Sequence, residues 1–362
     1  MHPPPAHPYR ELPDKAFWKR AVALPAKSEV DPVGEFRLRL DRTMRVATAG
    51  SCFAQHLSRH LRASGYHHYV AEPGHPLIPA ARRTEQGYGL YSARYGNVYT
   101  ARQLLQTFER AFGSFAPAEP AWTTTGGAIV DPFRPTVQPG GFIDAAEMLA
   151  DRRQHLAHVR RMFETLDVFI FTLGLTECWR STEDGAVFPI CPGVEGGSFS
   201  AERHAFHNQP VDEVITDLSR LTEALLAVNP RAQLVLTVSP VPLVATATPG
   251  AHVLSATSYS KAVLRVAADT IVQRFPAASY FPSYEIITGP HSRGSYFDAD
   301  LRSVREEGVA HVMRLFLAHA SGTGPDAAAP APGDAQAQAH AEFDATSAAL
   351  VEVECDETAL DR

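Results

Sequence analysis

"RVATAGSCFAQHLSRHL", residues 45–61, decides how the fold is read. A short run from Val46 to Ala49 suits a buried strand and reaches Gly50-Ser51-Cys52. Phe53, Ala54, Leu57 and Leu61 then recur at helical spacing. A strand turning sharply into a helix puts two nucleophile-capable side chains, Ser51 and Cys52, at the bend. The amides of Cys52, Phe53 and Ala54 form the exposed first turn of such a helix. That turn carries partial positive charge and favours a thiolate or an oxyanion. The residues alone also allow a plainer reading, in which Ser51 caps the helix and Cys52 packs as a small hydrophobe.

Outward from this bend, the same two periods alternate. Strands are expected at 45–49, 67–71, 167–172 ("DVFIFT"), 233–238 ("QLVLTV") and 279–281. Helices are expected at 53–64, 101–112, 144–165, 211–228, 257–274 and 306–319. Strands alternating with helices predict the α/β class, with a mostly parallel sheet covered on both faces. The first forty residues, rich in proline, read as an arm wrapping the core. Residues 73–100 and 115–143 read as long loops, and 179–210 as an insertion after a strand end. One domain is expected over 1–320. The Ala/Pro/Gly-rich segment 321–362 lacks large apolar side chains and is expected to be a disordered tail.

Composition narrows the function. The 362 residues are 45% apolar and 20% charged with a net charge of −7, and no run of like charges reaches five. A globally basic surface for nucleic acid or anionic membrane is absent. No stretch is apolar for long enough to span a bilayer, and the N-terminus lacks a signal-type apolar core. Cys52, Cys178, Cys191 and Cys355 form no C-x-x-C, so a disulfide framework is not expected and the cytoplasm is the expected compartment. The 16 histidines form neither H-E-x-x-H nor H-x-x-E-H, so neither a metal nor another cofactor is expected.

In parallel sheets, ligands bind beyond the carboxyl ends of the strands. Three such ends stand out: "AGSCFA", "TLGLTECW" and "TVSPVP". With "HPYRELPDKAFWKRAV", "YSARYGNVYTARQL", "YSKAVLR" and "YFPSYEI", they resemble the GSCFA family in order and spacing over roughly residues 7–318. That family is regarded as related to the SGNH (GDSL-like) hydrolases. The resemblance implies a three-layer α/β/α sandwich and a nucleophile just after the first strand.

Carried over block by block, the resemblance places Cys52 at the nucleophile, or Ser51 if the alignment shifts by one. It implies an oxyanion-hole amide at Gly96, with Asn97 beside it. The third block resembles Gly174-Leu175-Thr176-Glu177, where Thr176 stands in for an asparagine donor and Glu177 for an aspartate. The fourth, Asp-x-x-His, matches Asp300-Leu301-Arg302-Ser303, so serine occupies the histidine position. His291, in a nearby loop, is the substitute base; His207 and His252 are weaker ones. His311 and Lys261 read as ordinary helix residues, the lysine solvated. The implied activity is hydrolysis or acyl transfer on an ester or thioester, with an acylated carbohydrate as one candidate substrate. The competing reading is a non-catalytic ligand- or glycan-binding protein built on a degenerate site.

Overall fold

The computed structural model describes residues 7–321. Its first strand, β1 (Val46–Gly50), is buried throughout, and helix α1 (Phe53–Ala63) follows after two residues. Gly50 lies at φ 146°, and a Cβ there would come within 2.6 Å of the Thr172 Cβ and carbonyl oxygen. Only glycine lets the chain leave the sheet here. α1 buries Phe53, Ala54, Leu57 and Leu61, the positions whose spacing marked its core face.

The chain continues through α2 (Ala80–Glu85), α3 (Ala101–Phe112), β2 (Trp122–Thr123), β3 (Ile129–Val130) and α4 (Ala145–Thr165). Next come β4 (Val168–Leu173), β5 (Glu177–Ser181), β6 (Val187–Phe188), β7 (His204–Asn208) and α5 (Val211–Val228). The last elements are β8 (Gln233–Val238), α6 (Val253–Arg274), β9 (Ala278–Tyr280), α7 (Ser283–Thr288) and α8 (Glu306–Ser321). Local chemistry sets several boundaries. Thr100 and Asp144 cap α3 and α4 through their side chains, and Gly113 ends α3 in the left-handed region.

The central sheet has the order β1-β4-β8-β9, all parallel, with Gly50 opposite Thr172 and Thr172 opposite Thr237. Alternate strand residues serve different layers. Ala47, Ala49, Phe169, Phe171, Leu234 and Leu236 pack against α3, α4, α5 and α6. Val46, Val168, Ile170 and Val235 pack against α1, α7, α8 and the N-terminal arm. Burial on both faces explains why β4 and β8 are apolar without alternation. The fold is therefore a three-layer α/β/α sandwich. The arm joins the second layer through Val33, Phe36, Leu38 and Leu40, and the Leu40 amide donates to the Ala320 carbonyl at 2.9 Å.

Three expectations need correcting. The strand expected at 67–71 contracts to one parallel bridge between His68 and Val46. The Thr48 amide instead donates to Ser92 Oγ at 2.9 Å, so the neighbouring segment takes over the edge of β1. The insertion at 179–210 carries a three-stranded antiparallel sheet, β6-β5-β7, that begins at Glu177. The loop at 115–143 contains the short β2–β3 pair. α8 runs to Ser321, and the rest of the tail expected to be disordered lies outside the described residues.

One polar cluster braces the loops over α4. Glu72 accepts from the Arg94 amide at 2.8 Å and from His155 Nδ1 at 2.7 Å. Asp151 bridges Arg94 and Arg134 at 2.8 Å each. Asp131 takes Arg134 at 3.0 Å and Arg152 at 2.6 Å. Burial works to raise the Glu72 carboxyl, but the His155 ring and the Arg134 guanidinium outweigh it and hold it at about 2. Burial depresses His155 to about 4.

Candidate functional site

The three strand ends meet in one narrow cleft. Ser51 and Cys52 enter from β1, Gly174 and Leu175 from β4, and Ser239, Val241 and Pro242 from β8. Tyr99 and Arg302 complete the wall. The free space is about 10 Å³, room for a single water. Cys52 is half-buried and occupies the N-cap position of α1, where no side chain caps the helix. Ser51 is 4% exposed and its Oγ has no hydrogen-bond partner, so it does not cap α1 as the plainer reading required.

The third block is held by hydrogen bonds that consume its donors. The Gly174 and Leu175 amides both donate to the Tyr99 carbonyl, at 3.0 Å each. A Cβ on Gly174 would sit 3.1 Å from that same oxygen, a tight contact that a side chain there would have to relieve. The Gly174 carbonyl accepts from Lys261 Nζ at 2.7 Å. Lys261 is 1% exposed, so the expectation of a solvated lysine is overturned. Thr176 gives its amide to Ser260 Oγ at 3.0 Å and its hydroxyl to Asn208 Oδ1 at 2.7 Å. Its hydroxyl braces β7 and does not point an open donor at the cleft. Glu177 accepts from the hydroxyls of Thr246 and Thr248 at 2.6 and 3.1 Å and from the Ala247 amide at 3.3 Å. It ties β5 to the segment after β8.

Gly96, at φ 68°, makes a turn. Asn97 behind it accepts from the Tyr91 hydroxyl, and its carbonyl accepts from Gln103 Nε2 at 2.8 Å. The next amide, Val98 N–H, donates to the Gly50 carbonyl at 2.9 Å. This turn supports the bend from behind, and neither Gly96 nor Asn97 lines the cleft.

The fourth block departs most from expectation. Asp300 is exposed and accepts from the Arg302 and Ser303 amides, at 2.9 Å each, and from Ser303 Oγ at 2.6 Å. Leu301 takes φ 56° inside this tight turn. The turn delivers Arg302 to the cleft, where Nε donates to the Pro242 carbonyl at 3.3 Å. His291 does not line the cleft; its ring packs 6.5 Å from those of Tyr296 and His311. Burial lowers its pKa, and its Nε2 is buried without a partner. His311 is buried and bonds the Tyr296 hydroxyl through Nδ1 at 2.8 Å. His207 pairs with Glu213, and His252 caps α6.

Tyr99, Arg302 and, from the flagged strand end "TVSPVP", Ser239, Val241 and Pro242 line the cleft without having been named as site residues from the sequence. Arg302 stood inside the quoted Asp-x-x-Ser tetrad, and a cation two residues from a turn-forming aspartate was the available signal. Next to the cleft lies a second pocket of about 280 Å³, and Leu175 lines both. No three His, Cys, Asp or Glu side chains among the described residues are placed to hold a metal ion. No helix among them is long and apolar enough to cross a membrane.

A three-layer α/β/α protein with a cysteine at the first strand–helix bend, in a cleft that an arginine also lines, is the class that fold and site define. The chain belongs to the GSCFA family, whose model matches residues 45–316, from the start of β1 into α8. No curated relative matches it.

Proposed function

We propose that the protein transfers or hydrolyses acyl groups presented as thioesters or similarly activated esters, with Cys52 as the nucleophile. The observation that carries this reading is the half-buried Cys52 at the start of α1, in a cleft it shares with Arg302 and three strand ends. The α1 terminus and the guanidinium both favour a thiolate and, later, the tetrahedral oxyanion. The thiolate attacks the acyl carbon, the bond to the carrier sulfur or oxygen breaks, and the electron pair leaves with the carrier. Water or an acceptor hydroxyl then attacks the Cys52 thioester, gives up its proton to solvent and restores the thiolate.

The cleft also argues for the kind of leaving group. None of its nine lining residues is a histidine or a carboxylate, so the side chains that most often protonate a departing alkoxide are missing from it. A departing alkoxide is the base of an alcohol about as weak an acid as water, pKa about 15.7. A thiolate, with a pKa of about 8.5, leaves without help. Thioesters therefore suit the site better than the sugar esters that the SGNH resemblance brings forward. Incubation with an acetyl thioester of a small thiol, followed by intact-mass and peptide analysis, tests this. An acetyl group on Cys52, lost in Cys52→Ala, is the expected result. Absence of both adduct and turnover sinks the reading.

The missing base also favours a second reading, a ligand-binding protein on a degenerate site. It predicts no acyl adduct, and ligand binding that survives Cys52→Ala.

A further inference from the structure

The second pocket is built by the segment that the sequence presented as an insertion. Two stretches of backbone run from the cleft directly into it. One leads from Gly174 and Leu175 to Glu177, Cys178 and Trp179; the other leads from Val241 and Pro242 to Leu243 and onward to Ala247. The far wall comes from β6 and the loop after it, including Phe188, Ile190 and Val194. Leu175 lines both spaces, so a group that starts at Cys52 and passes Leu175 reaches the wall of the second pocket.

We propose that this pocket binds the aliphatic chain of the acyl group whose carbonyl is attacked at Cys52, so that the protein prefers medium-length acyl chains over acetyl. The inference rests on the thioester reading above and adds the substrate class. Its chemistry follows from the lining. The one charged lining residue, Glu177, has its carboxylate engaged by Thr246, Ala247 and Thr248. The two cysteines stay neutral thiols, because burial pushes Cys178 to about 12 and Cys191 to about 11. They act as small apolar groups. A sugar would leave its hydroxyls facing Phe188, Ile190, Val194 and Leu243, each unpaired hydroxyl being unfavourable. An alkyl chain has no such penalty. The contrast in size, about 280 Å³ against about 10 Å³ at the cleft, assigns the carbonyl to one space and the chain to the other.

The test is a series of acetyl, butyryl, hexanoyl and octanoyl thioesters of one carrier thiol, read as kcat/KM. Each buried methylene should raise it about fourfold until the pocket is full. Ala245→Phe and Val194→Phe, which fill the pocket, should each cut the octanoyl-to-acetyl ratio at least tenfold. A binding readout runs beside it and needs no turnover. A bromine-bearing octanoate should quench the emission of Trp179, and Trp179→Phe should abolish that quenching. A series that is flat or falls with chain length, with no quenching, overturns the pocket proposal while acetyl turnover leaves the catalytic reading standing. Quenching without turnover of any thioester overturns the catalytic reading and keeps the pocket as an aliphatic-chain site. Loss of both overturns both.

Discussion

The charge cluster over α4 and the cleft at the end of β1 both hold buried polar side chains, yet they are built in opposite ways. In the first, Glu72, Arg94, Asp131, Arg134, Arg152 and His155 all have partners, most of them two. In the second, Ser51 Oγ is buried without any, as are Thr172 Oγ1 and Thr237 Oγ1 on the adjoining strands β4 and β8. Register sets Gly50, Thr172 and Thr237 side by side across the sheet, directly under the bend. Satisfied networks hold one structure in place. Buried polar groups left open mark where a water or substrate supplies the missing partner. The difference supports a stabilising role for the first region and the proposed chemistry for the second, and each assignment can be broken.

The largest effect belongs to the cleft. Cys52→Ala should lower acyl-thioester turnover at least about a thousandfold, roughly 4 kcal/mol. It should shift the melting temperature little, since Cys52 is half-buried and its side chain makes no capping hydrogen bond to α1. Peptide mapping after iodoacetamide at neutral pH should find Cys52 modified well before Cys178 and Cys191, whose thiols burial raises to about 12 and 11. Equal modification of all three would place Cys52 with the inert, buried thiols.

Asp131→Asn should do the reverse. It leaves Arg134 and Arg152 facing each other in the interior without their shared carboxylate. The expected loss is about 3–5 kcal/mol of stability by urea denaturation. A loss under about 1 kcal/mol would show that the network is ornamental to the fold.

Arg302→Met, a change of similar length without charge, should lower turnover by about a hundredfold and leave the denaturation midpoint nearly unmoved. If turnover is unaffected, the guanidinium serves the structure, through bonds such as that to the Pro242 carbonyl, and not the chemistry.

Acid should expose the network before the cleft. His155 is depressed to about 4, against a usual 6.5, by burial. As pH falls from about 6.5 the unfolded chain takes up that proton and the folded one does not, so stability declines down to about pH 4. The slope is about 1.4 kcal/mol per pH unit for one such group. His56, also depressed by burial to about 4, adds to the same window. Glu72, held at about 2 against a usual 4.5, keeps its stabilisation above about 4.5 and loses it towards pH 2. His155→Gln should flatten the upper part of this profile, and an unchanged slope between pH 6.5 and 4 would remove His155 from it.

The smallest effect is the most discriminating. Ser51→Ala should change stability by less than about 0.5 kcal/mol, because the hydroxyl has no bond to lose. A cost of about 1 kcal/mol would mean that a water holds this oxygen, and abolished turnover would move the nucleophile back by one residue.

Much of the fold was legible because it is local. Helices 101–112 and 211–228 coincide with α3 and α5, where period and flanking residues agree. β4 and β8 were readable as continuous apolar runs because both of their faces are covered. The bend was legible for the same reason: Gly50, the strand before it and the helix face after it all lie within 17 residues. From the chain alone came the sheet's direction, its covered faces and the position of Cys52 at a carboxyl end. What only the tertiary structure decided lies in partners far apart along the chain. Lys261 reaches Gly174 across 87 residues, and Thr176 loses its hydroxyl to Asn208 across 32. Arg302 reaches Pro242 across 60, and β1 gives its edge to Ser92 across 44 rather than to a full strand. A side chain's type states which bonds it can make, but which bond it makes depends on what folding brings within 3 Å or so. For that reason the bend and its two nucleophile-capable side chains could be read from residues 45–61, while the cleft walls, the cation and the neighbouring pocket could not.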